Sequence, residues 1–215
     1  QGLDAHAPLL SAALFDATPI VTANSRAITM VFAQSTGGGR TRSTGFVLRV
    51  SADTGWVVTN RAALLDSTGA PAERIAVGFN GSNQGWRARV IAEQPATGLA
   101  LLRVLAWGHV FPVAEVRDSV AVTGQPVIVF GFPEGPEQGG PTWQRDGLRA
   151  SVITGTLTAA SEKRLEIEGY GVTGWVGSPV FNAAGQLIGV IATGEGGSAP
   201  LSAIPTSAIR GWMRQ

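Results

Sequence analysis

The chain has no cysteine, one lysine, one tyrosine and two histidines in 215 residues. Without cysteine there are no disulfides and no thiolate metal sites. With only His6 and His109 to draw on, imidazole-based metal binding or proton transfer has few places to occur. An excess of either charge is also missing: 16 basic and 15 acidic residues give a net charge of +1. No electrostatic footprint for nucleic acid or for an anionic membrane follows from that balance. No leader-peptide pattern opens the sequence, and no apolar run is long enough to cross a membrane. The stretch Ala7–Phe15 is too short for a span. Its Leu9, Leu10, Ala13 and Leu14 fit the apolar face of a short amphipathic helix, with Pro8 tolerated in the first turn.

Glycine is plentiful, at 29 residues, and the charged fraction is low, at 14%. That mixture suits many short strands joined by tight turns. Strand-like runs cover Ala27–Ala33, Gly45–Val50, Gly55–Thr59, Arg74–Phe79, Trp86–Glu93 and Leu99–Leu105. Gln34–Ser43 reads as a loop, and Asn80-Gly81 as a hairpin turn, because both residues tolerate positive φ. After a connector at Ala106–Val113, further runs cover Ser119–Val122, Pro126–Phe130, Arg149–Ala159, Arg164–Glu168, Pro179–Phe181, Leu187–Thr193 and Ser202–Ile204. Pro133–Arg145 lacks periodicity and reads as a long surface loop. Ala208–Met213 predicts a terminal helix with Thr206 or Ser207 as its cap. Two clusters of about six short strands each predict an all-β chain of paired antiparallel barrels.

Three motifs recur in a fixed order. Gly55-Trp56-Val57-Val58-Thr59-Asn60 resembles the run that leads to the catalytic histidine of trypsin-like serine proteases. Thr97-Gly98-Leu99-Ala100-Leu101-Leu102 resembles the run that holds their aspartate. Gly174-Trp175-Val176-Gly177-Ser178-Pro179-Val180-Phe181-Asn182 resembles the run around their nucleophilic serine. Val127–Pro133, Gly185–Thr193 and Ser202–Thr206 resemble further blocks of the bacterial HtrA-type branch. The likeness extends from Ala27 to Met213. It implies one trypsin-like unit over 1–215, with two six-stranded antiparallel barrels at 27–105 and 114–206, a short N-terminal helix and a C-terminal helix at 208–213.

On that resemblance the triad positions hold Ala62, Gly98 and Val176. Serine hydrolysis needs a hydroxyl nucleophile, an imidazole to take its proton and a carboxylate to orient the imidazole. A methyl group, a hydrogen and an isopropyl group supply none of these. Three different replacements look like natural decay of an unused site, so the expectation is a pseudoprotease with no catalytic residue. The alternative nucleophile is Ser178, which needs a base such as His109. A metal-binding reading, as in a degenerate magnetosome-associated member of the superfamily, would draw on His6 and His109, or on Glu134 and Glu137, which are too few oxygen ligands for a hard cation. No cofactor is implied.

The preserved turn leaves the Gly174 and Val176 amides to bind a carbonyl or carboxylate, although turn geometry alone would also retain the glycine. Trp175 either contacts a ligand or plugs the cleft; both readings stand. Ile191, Ala192 and Thr193, running to Gly194, present a strand to which an extended peptide would add, unless Glu195-Gly196-Gly197-Ser198 folds over it. Gly174, Trp175, Val176, Ser178, Ile191, Ala192 and Thr193 therefore line the candidate ligand cleft. The partner expected there is a protein or extended peptide. No nucleic acid and no membrane insertion of this chain are expected. The resemblance further implies a periplasmic or other extracytoplasmic bacterial location, and a homo-oligomer if Leu9–Phe15 mediates assembly as N-terminal segments of HtrA proteins do.

Overall fold

The computed structural model describes residues 15–113, 116, 120–132, 146–168, 174–193 and 200–213. The amphipathic stretch Ala7–Phe15, all but its last residue, lies outside them, as do His6, Glu134, Glu137, the loop Pro133–Arg145 and Glu195–Ser198. The described residues form twelve strands. They are β1 (Ile28–Gln34), β2 (Arg40–Ser51), β3 (Thr54–Asn60), β4 (Arg74–Phe79), β5 (Gly85–Gln94), β6 (Leu99–Leu105), β7 (Pro126–Gly131), β8 (Ser151–Ala160), β9 (Leu165–Glu168), β10 (Pro179–Asn182), β11 (Leu187–Thr193) and β12 (Leu201–Pro205). They close into two antiparallel barrels, in the orders β1-β2-β3-β6-β5-β4 and β10-β11-β12-β9-β8-β7.

The apolar side chains divide into three cores because successive residues of a strand face opposite ways. Val31, Val47, Val57, Val77 and Leu102 fill the first barrel. Val127, Val129, Leu157, Ile167 and Val180 fill the second. The alternate residues Ile28, Met30, Phe46, Val58, Leu99, Ile128, Phe130 and Phe181 point outward and pack into a seam between the barrels. Each such side chain contributes about 1.5–3 kcal/mol by burial. The inner strands are apolar on both faces for that reason. Register shifts at Val47/Arg49 and Val90/Ala92 add bulges that help the first barrel curve closed.

Four sequence expectations change. Helix α1 forms at Thr18–Asn24, in a β-branched segment with little intrinsic helix propensity. The Asp16 carboxylate accepts from the Thr18 amide at 2.9 Å, and Ile20 is buried in the seam. Strand β2 begins at Arg40 rather than Gly45, so the predicted loop shrinks to a tight turn in which the Gly38 amide donates to Ser35 and the Ser35 amide to Gly39. Residues 120–122 form no strand; Val120 and Val122 are exposed. At the C-terminus, a 3-10 turn at Thr206–Ile209 precedes helix α2 at Arg210–Met213. Pro205 stands at the N-cap, so neither Thr206 nor Ser207 caps by side chain.

The Asn80-Gly81 turn is wider than a two-residue hairpin, since Gly78 pairs with Gly85. It also ties the barrels together. The Gly81 amide donates to Leu148, the Leu148 amide to Ser82, and the Ala150 amide to the Asn80 carboxamide.

Candidate functional site

The three motif segments converge at the seam. Strand β3 ends at Asn60, whose Oδ1 accepts from the Ala62 amide at 2.8 Å and so starts the 3-10 turn Ala62–Leu64. The Asn60 Nδ2 donates to the Ala192 carbonyl of β11 at 3.3 Å. One side chain thus orients the Ala62 segment and ties it to the second barrel. The Arg61 amide donates to the Gly98 carbonyl at 2.7 Å, which brings the second motif alongside the first. Arg61 also pairs with Glu93 at 3.1 Å, both about one-third exposed, an arrangement of small energetic weight.

The third motif forms a compact turn strapped by Thr44. The Thr44 amide donates to the Val176 carbonyl at 3.0 Å. Its hydroxyl donates to the Gly174 carbonyl at 3.0 Å and accepts from the Phe132 amide at 2.9 Å. The Gly177 amide donates to Ile191, and the Ile191 amide to Ser178, both at 2.8 Å. Gly177 has φ +88°, and a Cβ there would collide with the Thr44 carbonyl and come within 3.1 Å of the Asn60 amide. Only glycine lets the turn approach the first barrel this closely.

At the positions that the motif resemblance sets against a triad, there is an exposed methyl group at Ala62, a left-handed glycine at Gly98 with φ +71°, and a half-buried isopropyl group at Val176. None can attack a carbonyl, accept a proton or orient an imidazole. Ser178 does not replace them. It is fully buried, and its Oγ has no hydrogen-bond partner among the described residues. Gly131 faces both that hydroxyl and the Trp175 ring. His109 lies apart from it: its ring packs on Trp86 of β5 with centroids 4.8 Å apart. Among the described residues no group of three His, Asp or Glu side chains could hold a metal ion.

The Trp175 side chain points into the second barrel. It is 1% exposed and packs with Val129, Leu165, Val180 and Ile191. It serves as interior packing, which the sequence did not distinguish from a ligand contact. The expected peptide-accepting strand is largely engaged. β11 pairs with β12 on one side, from Gly189↔Pro205 to Thr193↔Ser202. On the other it pairs with β10 and with the Gly177–Ser178 turn. The Ala192 carbonyl is held by Asn60, and Gly194 lies outside the described residues.

The sequence reading missed two residues that shape the site, Thr44 and Asn60. Thr44 sits in a strand with no motif of its own. Asn60 belongs to the first motif but carries no chemistry that would single it out. Asp66, just beyond Ala62, orders its own loop. Its Oδ1 accepts from the Thr68 hydroxyl at 2.7 Å and from the Thr68 and Ala70 amides at 2.9 Å. The Thr68 hydroxyl, followed by the amides, holds its carboxyl below the usual carboxylate range.

The sequence model of the trypsin-like peptidase domain matches residues 43–190. Among solved structures, the serine endoprotease from Yersinia pestis is similar, with a TM-score of 0.73 and 22% identity. That likeness covers 93% of this chain and 65% of the Yersinia chain, and at such identity it is a likeness of fold. No curated protein matches the chain.

Proposed function

The chain belongs to the trypsin-like peptidase domain family, and from that premise we propose that it is a pseudoprotease, a protease fold that binds polypeptide without cutting it. The observation that carries this reading is the convergence of the segments that hold Ala62, Gly98 and Val176, through the Arg61 amide on Gly98, Asn60 on Ala192 and the close approach of Gly177 to Thr44 and Asn60. The Thr44, Asn60 and Gly177 contacts that position the segments are kept, while the side chains at the reacting positions are inert. The binding surface on this reading is the cleft bordered by Val176 and Thr193, with an unfolded or extended polypeptide as partner. The resemblance of its motifs to bacterial HtrA-type proteins supports an extracytoplasmic location.

Fluorescein-labelled casein tests both halves of the reading. The expected result is a rise in anisotropy with no release of fragments, and no covalent labelling by a fluorophosphonate in intact-mass measurement. Fragment release, or a labelled serine, would make the protein an enzyme. Casein neither bound nor cut would remove the binding half.

A further inference from the structure

A well-defined groove lies away from the motif turn. It has a volume of about 840 Å³ and runs along the outer face of the first barrel, across the starts of β2 and β4. Four arginines line it, Arg40, Arg42, Arg74 and Arg87, against one carboxylate, Glu73. A chain of net charge +1 therefore concentrates positive charge on one face. Glu73 does not cancel it: Arg74 approaches it only at 4.0 Å, with both side chains well exposed, a contact of little strength in water. Arg42 has an interaction of its own; Arg40, Arg74 and Arg87 carry the charge.

Strand register gives the groove its shape. Arg74 pairs with Gln34, and Gln34 with Arg40. In the next outward row Arg87 pairs with Ala76, Ala76 with Phe32, and Phe32 with Arg42. Arg40 and Arg42 thus form one rim, and Arg74 and Arg87 the other. With strands about 4.8 Å apart, the rims stand roughly 10–14 Å from each other. Between them lies a floor of Phe32, Gln34 and Ala76, all half-buried.

We infer that this groove binds an acidic, extended polypeptide segment. The rim separation fits one extended chain with its side chains. Guanidinium groups pair with carboxylates in bidentate fashion. The Phe32 and Ala76 floor accepts the apolar residues between them, a surface that phosphates alone would leave unused. The inference is independent of the cleft reading: the groove would take acidic peptide whether or not the motif turn binds casein.

The test is fluorescence anisotropy on the full chain with a labelled peptide alternating glutamate and leucine. Comparison probes are the same peptide with glutamine for glutamate and a single-stranded oligothymidylate. The expected result is binding of the acidic peptide alone. It should weaken about tenfold or more in an R40E/R87E variant, and likewise as salt rises from about 0.05 to 0.5 M. Arg103→Glu, at an exposed arginine of β6 outside the groove, should leave binding unchanged. Circular dichroism and thermal melting show whether each variant is folded, and R40Q/R87Q gives a milder second measurement. Equal binding of the glutamine peptide, equal loss in R103E, no binding of any probe, or tighter binding of the oligonucleotide would each overturn the inference.

Discussion

Single residues decide whether the motif turn can exist and whether it can react. Gly177→Ala would place a methyl group into the Thr44 carbonyl in a left-handed conformation. The expected cost is roughly 3 kcal/mol or more, read as a lowered denaturant midpoint. Val176→Ser would supply a hydroxyl but neither base nor carboxylate, so on the pseudoprotease reading V176S leaves labelled casein uncut over long incubation. Asp66 gives a pH signature. Its carboxyl is held low in the folded state by the Thr68 hydroxyl and the loop amides. A depressed folded value contributes stability that is present above the ordinary carboxylate range and lost as pH falls through the folded value. Thermal melts from neutral to acid pH should therefore show the wild type losing more stability than Asp66→Asn on the acid side.

Among the elements, strands were legible where apolar side chains alternate or run continuously, as in β1, β3, β6 and β7. They were illegible where the pairing is carried by exposed polar residues. Arg40, Thr41 and Arg42 look like loop, yet their backbone pairs with β1. The reverse failure is the segment at 120–122, which is apolar but forms no strand: Val120 and Val122 are exposed, and the Val122 carbonyl accepts from the Gln125 amide in a turn. Helix α1 was hidden because its stability comes from seating Ile20 in the seam rather than from propensity. The site divided in the same way. Motif order pointed to Ala62, Gly98 and Val176, but nothing local revealed that Trp175 turns inward or that Thr44, far away in sequence, straps the turn. The β4–β5 loop gives an element-scale prediction. Asn80→Ala would strip partners from the Ser25 carbonyl and the Ala150 amide, at a cost of about 1–3 kcal/mol, measured by chemical denaturation.

The molecule as a whole is two barrels sharing a third core. Ile28, Phe46 and Leu101 from one barrel meet Ile128, Phe130 and Phe181 from the other in a single buried cluster. Separating the barrels would expose all of them, so neither is expected to unfold alone. Far-ultraviolet circular dichroism and tryptophan fluorescence should report one coincident denaturant transition; two resolved transitions would show that the seam is weaker than its burial implies.

That seam also sets a schedule for synthesis. Residues 28–105 are all made before the second barrel, and in any early closure one side of the first barrel presents Ile28, Met30, Phe46, Val58 and Leu101 to water. The covering strands begin at Pro126, and the last covering residues, Ile209 and Trp212, come more than a hundred residues after residue 105, roughly 5–20 s at ordinary elongation rates. During that interval the nascent chain carries a sticky half-seam, open to holdase chaperones or to the same face of a neighbouring nascent chain on the polysome.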